Sequence, residues 1–313
     1  MKHRNDANWL NANSVTGTIV TANRYVGRFA PSPTGPLHLG SLFAALVSYL
    51  DARHAKGQWL LRIEDIDPPR EVEGATDAII ATLEKHGLLW DQPIVYQSGS
   101  TARILDAVAH LQSDGAAYFC ECARRQLRAR NQLDPYPGIC RDKALGEGAL
   151  RARIADEVIR FTDRWQGVQA ANLKASPGDF VIRRRDGLFA YQLAVCVDDA
   201  YQGVTDVVRG VDLLSSTPRQ IYLQQLLNLP TPRYAHFPVL NGSDGQKLSK
   251  QTGAPPIDDA RPSQNLEHCL SLMGMSLPAE MSGADPADIL QWACLAYDPN
   301  RLSQKPIAIS IDE

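Results

Sequence analysis

Hydrophobic positions cluster most strongly just after a short run of prolines and glycines near the start of the chain. Residues 39–56, LGSLFAALVSYLDARHAK, are apolar almost all round over their first turns and contain no proline, which predicts a long and mostly buried helix. Residues 24–30 carry β-branched and aromatic side chains and stop at Pro31, which predicts a strand. A second strand is predicted at residues 58–64, and the Pro-Pro pair at 68–69 forces a loop after it.

The same alternation continues along the chain. Residues 76–86 predict a helix that ends at Gly87, residues 94–96 a short strand, and residues 102–111 a helix capped by Ser98 or Ser100. Strands that alternate with helices in this way form parallel sheets with right-handed crossovers. Ligands of such sheets lie beyond the carboxyl ends of the strands. The pattern therefore predicts an α/β fold built on a parallel sheet.

The alternation is interrupted in the middle of the chain. Residues 114–189 contain cysteines, clustered arginines and Gly/Pro turns, and we expect them to be an insertion between two halves of a nucleotide-binding fold. Alternation resumes at residues 191–197, followed by a strand at 203–209, a helix at 219–227 and a strand at 238–240. The expected divisions are an extension at 1–23, a first half at 24–113, the insertion at 114–189, a second half at 190–250 and a short helical C-terminal part at 251–313.

Composition and charge narrow the class of protein. The 313 residues are 44% hydrophobic and 21% charged, as in an ordinary globular enzyme, and no apolar run reaches the roughly 20 residues of a membrane span. Residues 1–23 are polar and lack the apolar core of a signal peptide, which predicts a flexible extension and a cytoplasmic protein. We expect a monomer. A net charge of −3 means that a nucleic-acid partner needs local basic patches, such as residues 124–130 and 183–185, although such runs are more often a solvated face.

Candidate chemistry begins at the turn between the first strand and the first helix, GRFAPSPTGPLHLG at residues 27–40. A helix that starts directly after a glycine turn points free N–H groups and its positive dipole end toward the end of the strand, which makes an anion site. His38 and Gly40 lie at the mouth of this site. The turn lacks the lysine of a P-loop and the spacing of a GxGxxG loop. An ordinary strand-to-helix turn with a surface histidine is the alternative.

Three of the six cysteines are close in sequence: Cys120, Cys122 and Cys140. In a cytoplasmic chain, cysteines argue for free thiols or a metal site rather than disulfides, and thiolates at this spacing suit tetrahedral zinc. No histidine occurs between His110 and His236, so a fourth ligand is not a local imidazole. Three buried or reduced thiols are the alternative.

Four charged or polar side chains near the predicted strand ends suit a dicarboxylic amino acid. Arg28 and Arg209 offer guanidinium forks for two carboxylates. Glu64 can pair with an ammonium group, and Tyr191 supplies a hydroxyl. This set predicts glutamate as the ligand, and it leaves open which arginine takes the α- and which the γ-carboxylate. The alternative is an internal salt bridge of either arginine with Glu64 or Asp198.

Two strings in the chain resemble family signatures. RFAPSPTGPLHLG resembles the HIGH signature of class I aminoacyl-tRNA synthetases, in the version found in their glutamyl and glutaminyl branch, with Ser41 in place of the second histidine. Lys247-Leu-Ser-Lys250 resembles the KMSKS loop of the same class, with Leu248 for methionine and Gln251 for the last serine. A lone K-x-S-K string is common on protein surfaces, whereas its pairing with the HLG turn indicates a split nucleotide fold.

The resemblance implies roles for particular residues. It implies that the catalytic residues are His38, Gly40, Lys247 and Lys250. ATP, with Mg²⁺, would bind at His38, Gly40, Leu240 and Lys250. The family binds its amino acid through the strings RFAPS, IED, FAYQLA and VVRG, which here contain Arg28, Ala30, Ser32, Glu64, Tyr191 and Arg209. A structural Zn²⁺ would be held by Cys120, Cys122, Tyr136 and Cys140, with Asp134 or water as the alternative to Tyr136.

The fold implied is a Rossmann-like (HUP-type) parallel-sheet catalytic domain with an inserted zinc-containing subdomain and a short helical C-terminal part. The reaction implied is activation of L-glutamate by ATP to glutamyl-adenylate, followed by transfer of the glutamyl group to an RNA hydroxyl. Only 63 residues follow Lys250, fewer than a typical domain, whereas the tRNA-charging members carry large anticodon-binding domains. The chain therefore resembles the truncated branch of the family, a ligase that attaches glutamate to the queuosine base of tRNA(Asp), and the insertion would face the anticodon stem-loop of that tRNA.

Three alternatives stay open. The first is a truncated discriminating glutamyl-tRNA synthetase that charges the 3′ end of tRNA(Glu). The second is a non-catalytic RNA-binding relative that keeps the fold, and the third is a different adenylyl-forming nucleotidyltransferase with the same HxG turn. What weighs against the second and third is that the candidate residues are intact: Lys250, Glu64, Tyr191 and Arg209.

Overall fold

A computed structural model describes residues 25–242, 254–302 and 307–308. The predicted extension at 1–23 and the Lys247-Leu-Ser-Lys250 string lie outside these described residues. The first half alternates as the hydrophobic pattern predicts, through β1 (Val26–Phe29), α1 (Leu39–His54), β2 (Gln58–Ile63), α2 (Ala75–Lys85), β3 (Val95–Tyr96) and α3 (Thr101–Ser113). The three strands pair in parallel in the order β1-β2-β3.

The start of α3 differs from the prediction. Residues Gln97–Ser100 form a 3-10 turn that runs directly into the helix, so Ser100 is not in the extended conformation that a capping residue adopts. Its hydroxyl accepts a hydrogen bond from Arg103 Nη2 at 2.7 Å, and the Ser98 hydroxyl donates to Asp65 at 2.7 Å. The predicted serine cap is therefore wrong, because both hydroxyls have partners elsewhere.

The middle of the chain forms two antiparallel units. Its elements are β4 (Ala117–Cys120), α4 (Arg124–Ala129), β5 (Ala149–Ala152), β6 (Val158–Asp163), β7 (Gly167–Asn172) and β8 (Val181–Arg183). Strands β4, β5 and β8 make one small sheet, while β6 and β7 make a hairpin. The hairpin also joins the next sheet through β6, so the middle of the chain contributes to the main fold. The division of the chain at 114 and 189 stays a prediction.

The second half completes a four-stranded sheet in the order β7-β6-β10-β9. Its elements are α5 (Tyr191–Tyr201), β9 (Asp206–Gly210), α6 (Thr217–Leu226), β10 (Arg233–Phe237) and β11 (Leu240–Asn241). Strand β10 runs parallel to both β6 and β9. The segment at which alternation was expected to resume, residues 191–197, is the start of α5.

From the sequence, a strand was expected at residues 238–240, directly after β10, and β10 itself was not predicted. Four of its five residues, RYAHF, are buried, including His236. A strand that is buried on both faces shows no apolar and polar alternation, so the period-2 signal is absent from it. Of the predicted segment, only Leu240 enters a strand, at the start of β11.

The three-stranded and the four-stranded sheet meet where β1 and β9 lie side by side. The Thr205 backbone N–H donates to the Val26 carbonyl at 2.9 Å, and the Val26 N–H donates to the Thr205 hydroxyl at 2.9 Å. One of these two bonds uses a side chain, so the ladder is not regular at this junction. The junction nevertheless brings the β1 and β9 strands together, and with them Arg28 and Arg209.

The C-terminal part packs against the first half. It contains α7 (Pro262–Leu272), α8 (Pro286–Ala296) and β12 (Ile307–Ala308), which pairs with β11. Leu270 of α7 and Ile289 of α8 share a buried core with Leu46 of α1. The α/β architecture with parallel sheets and a helical C-terminal part is thereby confirmed. In the described part of the chain, no helix combines the length and apolar character needed to span a membrane.

Candidate active site

A cavity of about 400 Å³ opens at the junction of the two sheets, beyond the carboxyl ends of β1, β2 and β9. Most of the site residues predicted from the sequence line it together: Arg28, Ala30, Ser32, His38, Gly40, Glu64, Tyr191, Arg209 and Leu240. Lys247 and Lys250 lie outside the described residues. The tertiary structure therefore brings both the predicted amino-acid residues and the described part of the predicted ATP residues to one cavity.

The turn between β1 and α1 forms one wall of this cavity. His38 is the last residue before α1, and its carbonyl accepts the N–H groups of Ser41 and Leu42 at 2.9 and 3.0 Å. Gly40 and Ser41 of the first turn of α1 line the cavity, so the start of this helix borders the place where an anion would bind. The carbonyl of Pro31 accepts the N–H of Glu64 at 2.9 Å, which ties this turn to the end of β2.

The described residues that precede and follow the two predicted lysines lie at this cavity or against its wall. Leu240, shortly before it, lines the cavity. After it, Pro256 forms an antiparallel bridge with His38, and Ile257 N–H donates to the Leu37 carbonyl at 2.9 Å. Leu240 therefore lines the same cavity as the HLG turn, while Pro256 and Ile257 pair with His38 and Leu37.

Arg28 belongs to a buried cluster of alternating charge. Its Nε lies 3.1 Å from Asp199 Oδ1, and Arg62 Nη1 lies 2.8 Å from the same oxygen. Arg28 therefore forms its salt bridge with Asp199, and not with Glu64 or Asp198, the two partners named in the alternative hypothesis of an internal salt bridge. Burial opposes ionisation of Asp199, but Arg28 and Arg62 outweigh it and hold the pKa of that carboxyl below its usual value.

Glu64 lies at the edge of this cluster and faces the cavity. Its Oε1 accepts a hydrogen bond from Arg62 Nη2 at 3.3 Å. Burial raises the pKa of Glu64, although Arg62 and Arg28 act in the opposite direction. A ligand ammonium group placed here would favour the charged carboxylate and would be held by it.

Arg209 is surrounded differently from Arg28. Its Nε donates to His236 Nε2 at 3.0 Å and its Nη1 to the Tyr191 hydroxyl at 3.3 Å. Its Nη2 donates to Thr217 Oγ1 and Gln220 Oε1, each at 2.8 Å. Among the described residues, no carboxylate forms an ion pair with Arg209, so its positive charge is left for a ligand carboxylate.

Sequence reasoning missed Arg62, Asp199 and His236. Asp198 and Asp199 follow the apolar run LAVCV, so two acids at the end of a buried run were an available signal of internal charge pairing. Arg62 was a charged residue within an apolar strand, a signal of the same kind. His236 gave no signal, because its strand was not recognised.

Three thiols and one phenol converge in the middle of the chain. The sulfur atoms of Cys120, Cys122 and Cys140 lie within 4.8 Å of one another. The Tyr136 hydroxyl lies 3.3 Å from Cys120 Sγ and 3.5 Å from Cys122 Sγ, and Cys122 Sγ lies 3.5 Å from Cys140 Sγ. Zn–S bonds of about 2.3 Å give tetrahedral edges of about 3.7 Å, so the spacing of these four groups fits such an ion. The cysteine cluster can therefore hold a metal.

The cavity thus brings the start of a helix together with a pair of guanidinium groups and a carboxylate. The sequence matches, over residues 25–281, the family described as "tRNA synthetases class I (E and Q), catalytic domain". Among solved structures, the chain is similar to a glutamate tRNA ligase from Elizabethkingia meningosepticum in complex with its amino acid. That similarity has a TM-score of 0.76 and 25% identity, and it covers 92% of this chain and 68% of the other. The class is therefore that of the class I tRNA synthetases, as the sequence analysis expected.

Curated relatives narrow the class to one branch. The Glutamyl-Q tRNA(Asp) synthetase of Ectopseudomonas mendocina is 51% identical over 280 residues, which is 89% of this chain and 95% of that protein. The protein of the same name from Pseudomonas putida is 48% identical over 285 residues, which is 90% of this chain and 96% of that protein. The chain belongs to the glutamyl-Q tRNA(Asp) synthetase family.

Proposed function

We propose that this protein uses ATP to convert L-glutamate to glutamyl-adenylate and then transfers the glutamyl group to the queuosine base in the anticodon of tRNA(Asp). One observation carries the proposal: two arginines, a carboxylate and a tyrosine line the same cavity as the HLG helix start. The names of the relatives, which contain glutamyl-Q and tRNA(Asp), support the choice of substrate and acceptor.

In this proposal, the guanidinium groups of Arg28 and Arg209 bind the two carboxylates of glutamate. The positive charge of Arg209 is the more available one for a ligand carboxylate, because the described partners of Arg209 are neutral, whereas Arg28 forms a salt bridge with Asp199. Glu64 binds the ammonium group and Tyr191 adds a hydroxyl, while Ala30 and Ser32 also line the cavity. A ligand with one carboxylate would leave one of the two guanidinium groups without a ligand carboxylate, which disfavours glutamine.

ATP would bind at His38, Gly40 and Leu240, with Lys247 and Lys250 closing on its phosphates. Mg²⁺ bound to ATP supplies further neutralisation of the phosphate charge. A carboxylate oxygen of glutamate attacks the α-phosphorus, and pyrophosphate leaves. The queuosine hydroxyl then attacks the acyl carbon, its proton passes to the departing phosphate group, and AMP leaves. No protein nucleophile is needed, because the site acts by positioning and by charge stabilisation.

The cysteine cluster would hold one Zn²⁺ through Cys120, Cys122, Cys140 and Tyr136. Its four groups have the donor chemistry and the spacing of a structural site, and three of them, Cys120, Tyr136 and Cys140, are almost fully buried. The metal would keep the inserted region folded. We further propose that this region, with the arginines of α4, faces the tRNA(Asp) anticodon stem-loop. A monomeric state and a cytoplasmic location stay predictions.

The test is pyrophosphate exchange into ATP, measured with glutamate, glutamine or aspartate, followed by transfer of labelled glutamate to tRNA(Asp). We expect exchange with glutamate and not with glutamine or aspartate. Removal of the terminal adenosine of the tRNA should leave the transfer intact, whereas charging of a 3′ end would be abolished. A protein that lacks exchange would be a non-catalytic relative, and exchange that ignores glutamate would indicate another nucleotidyltransferase.

A further inference from the structure

A buried chain of three side chains connects β6 to the cavity. Asp163 ends β6, His236 lies on β10, and Arg209 lies on β9 directly opposite His236 in the parallel register. Asp163 Oδ2 bonds to Nδ1 of His236, and Nε2 of His236 accepts the Nε–H of Arg209 at 3.0 Å. Asp163 and His236 are almost fully buried, and neither lines the cavity.

The contacts of Asp163 determine the state of the histidine ring. Asp163 Oδ1 accepts the backbone N–H groups of Gln166 and Trp165 at 2.9 and 3.1 Å, which favour an ionised carboxylate. Oδ2 then accepts a hydrogen bond from Nδ1–H of His236. The neutral ring therefore carries its hydrogen on Nδ1, and the lone pair of Nε2 can accept a hydrogen bond. Burial lowers the pKa of His236, which agrees with a neutral ring.

This tautomer is the one that Arg209 requires. An Nε2–H would place a hydrogen-bond donor against the Arg209 Nε–H, and an imidazolium would place a second positive charge there. The Thr217 hydroxyl, 3.2 Å from Nε2, and the Gln220 carbonyl oxygen complete a set of neutral partners around the guanidinium. The plane of the guanidinium is therefore held from the side away from the cavity.

The neutral ring also separates two opposite charges. If Asp163 contacted Arg209 directly, the pair would neutralise itself, as Arg28 and Asp199 do. Asp163 instead orients the imidazole, and the imidazole orients the Arg209 guanidinium without neutralising it. The charge of Arg209 therefore stays available to a ligand.

We propose that Asp163 and His236 are positioning residues that hold the Arg209 guanidinium in the orientation needed to bind a substrate carboxylate. This inference rests on the proposed function, because it takes Arg209 to bind glutamate. It adds two residues outside the cavity to the machinery that selects a dicarboxylic amino acid.

The first test compares His236→Leu with His236→Gln in the full chain, by the KM values for glutamate and for ATP in pyrophosphate exchange. Leucine removes the acceptor at Nε2, whereas glutamine can offer its carbonyl oxygen. We expect His236→Leu to raise the KM for glutamate about 10- to 100-fold, the usual effect of losing a hydrogen bond to a charged group, with the KM for ATP changed less than about twofold. His236→Gln should recover most of the loss.

The matched control is His86→Leu. His86 is also fully buried and bonded at both nitrogens, to the Thr82 carbonyl at 2.7 Å and to Asn265 Nδ2 at 3.0 Å, but it does not line the cavity. A general loss of packing should therefore affect both histidine variants alike. Equal KM values for glutamate in the two variants would overturn the inference.

A double-mutant cycle tests whether His236 acts through Arg209. In an Arg209→Ala background, His236→Leu should not raise the KM for glutamate further, because the group that it positions is gone. Additive effects would contradict the positioning role. Wild-type protein without glutamate-dependent exchange would overturn the proposed function together with this inference, whereas an active wild type with a normal KM in folded His236→Leu would overturn the inference alone.

The variant Asp163→Asn keeps the shape of the site and guards against a folding defect in His236→Leu. An asparagine can turn its NH₂ group toward Nδ1, and the ring hydrogen then moves to Nε2, against Arg209. We expect this variant to raise the KM for glutamate as His236→Leu does. In ¹⁵N NMR spectra, the His236 signals, assigned by their loss in His236→Gln, should report the Nδ1–H tautomer in the wild type and a change in Asp163→Asn. An Nε2–H or doubly protonated ring in the wild type at pH 7.5 would overturn the proposal.

Discussion

At the scale of single residues, the cavity uses two arginines in two different ways. Arg28 is compensated by Asp199, which also compensates Arg62, so three charges are buried as one group. Arg209 has neutral described partners and an uncompensated charge. The guanidinium and carboxylate residue types could be selected from the sequence, because their chemistry suits glutamate. Their pairing could not, because Asp199 comes from a helix more than one hundred residues away along the chain.

The shared role of Asp199 leads to a prediction about stability. Asp199→Asn keeps the volume but leaves two buried guanidinium groups without their carboxylate, and breaking such a group costs about 3–5 kcal/mol. The free energy of unfolding, measured with urea, should fall by that amount. The exposed pair of Asp156 with Lys174 provides the control, since Asp156→Asn should change stability little. An equal effect of both changes would contradict the shared role of Asp199.

Lys250 carries a separate prediction about rate. If it stabilises the negative charge that develops on the phosphates, Lys250→Ala should slow adenylate formation about 100-fold or more. Glutamate binding should be nearly unchanged, because the predicted amino-acid residues lie on other segments. Single-turnover formation of glutamyl-adenylate and equilibrium binding of glutamate measure the two effects. Equal losses in both would remove Lys250 from the assigned role.

At the scale of elements, buried strands with adjacent leucine or valine residues, such as β2 and β9, were predicted, whereas β10, which contains Arg233 and His236, was not. Strand β1 and helix α1 follow the hydrophobic pattern, whereas β10 is buried on both sides and escaped it. The serine cap of α3 failed for a related reason: the local residue types allowed a cap, but Arg103 and Asp65 engage the two hydroxyls. Sequence patterns report local preference, and tertiary contacts override it.

The cysteine cluster is an element-scale prediction as well. Protein purified without chelator should contain about one equivalent of zinc, measured by elemental mass spectrometry. Cys140→Ser should lower the zinc content well below one equivalent and make the inserted region sensitive to protease. Cys269→Ser provides the control, because Cys269 is a fully buried thiol of α7 that belongs to no such cluster among the described residues. Unchanged zinc in Cys140→Ser would contradict the site.

At the scale of the whole molecule, the junction of the two sheets decides where the site is. The cavity exists because β1 and β9 lie side by side and α1 begins beyond them. The C-terminal helices hold this arrangement from outside through contacts such as that between Asn265 of α7 and His86, the residue that follows α2. Distant segments therefore share one folding unit, and titration of a buried group between them affects the stability of the whole.

Burial lowers the pKa of both His86 and His236 from the ordinary value of 6.5. A histidine of this kind binds its proton more readily in the unfolded chain, so its effect is to reduce stability as the pH falls below about 6.5. We expect the free energy of unfolding to decrease between pH 7 and pH 5, by at most about 1.4 kcal/mol per pH unit for each proton. His86→Gln should show a shallower decrease in urea unfolding at constant ionic strength. Identical slopes would contradict the buried neutral state of His86.

The sequence by itself determined the α/β class, the family and the residue types of the cavity. The physical reason is that glycine and proline turns, helical periodicity and family signatures are each encoded in a short stretch of residues, so they can be recognised from the sequence. Only the tertiary structure decided that Asp199 compensates Arg28, and that hydrogen bonds connect Asp163 to His236 and His236 to Arg209. These contacts join strands and helices far apart in the chain, and what each buried charge requires depends on the neighbours that burial brings to it.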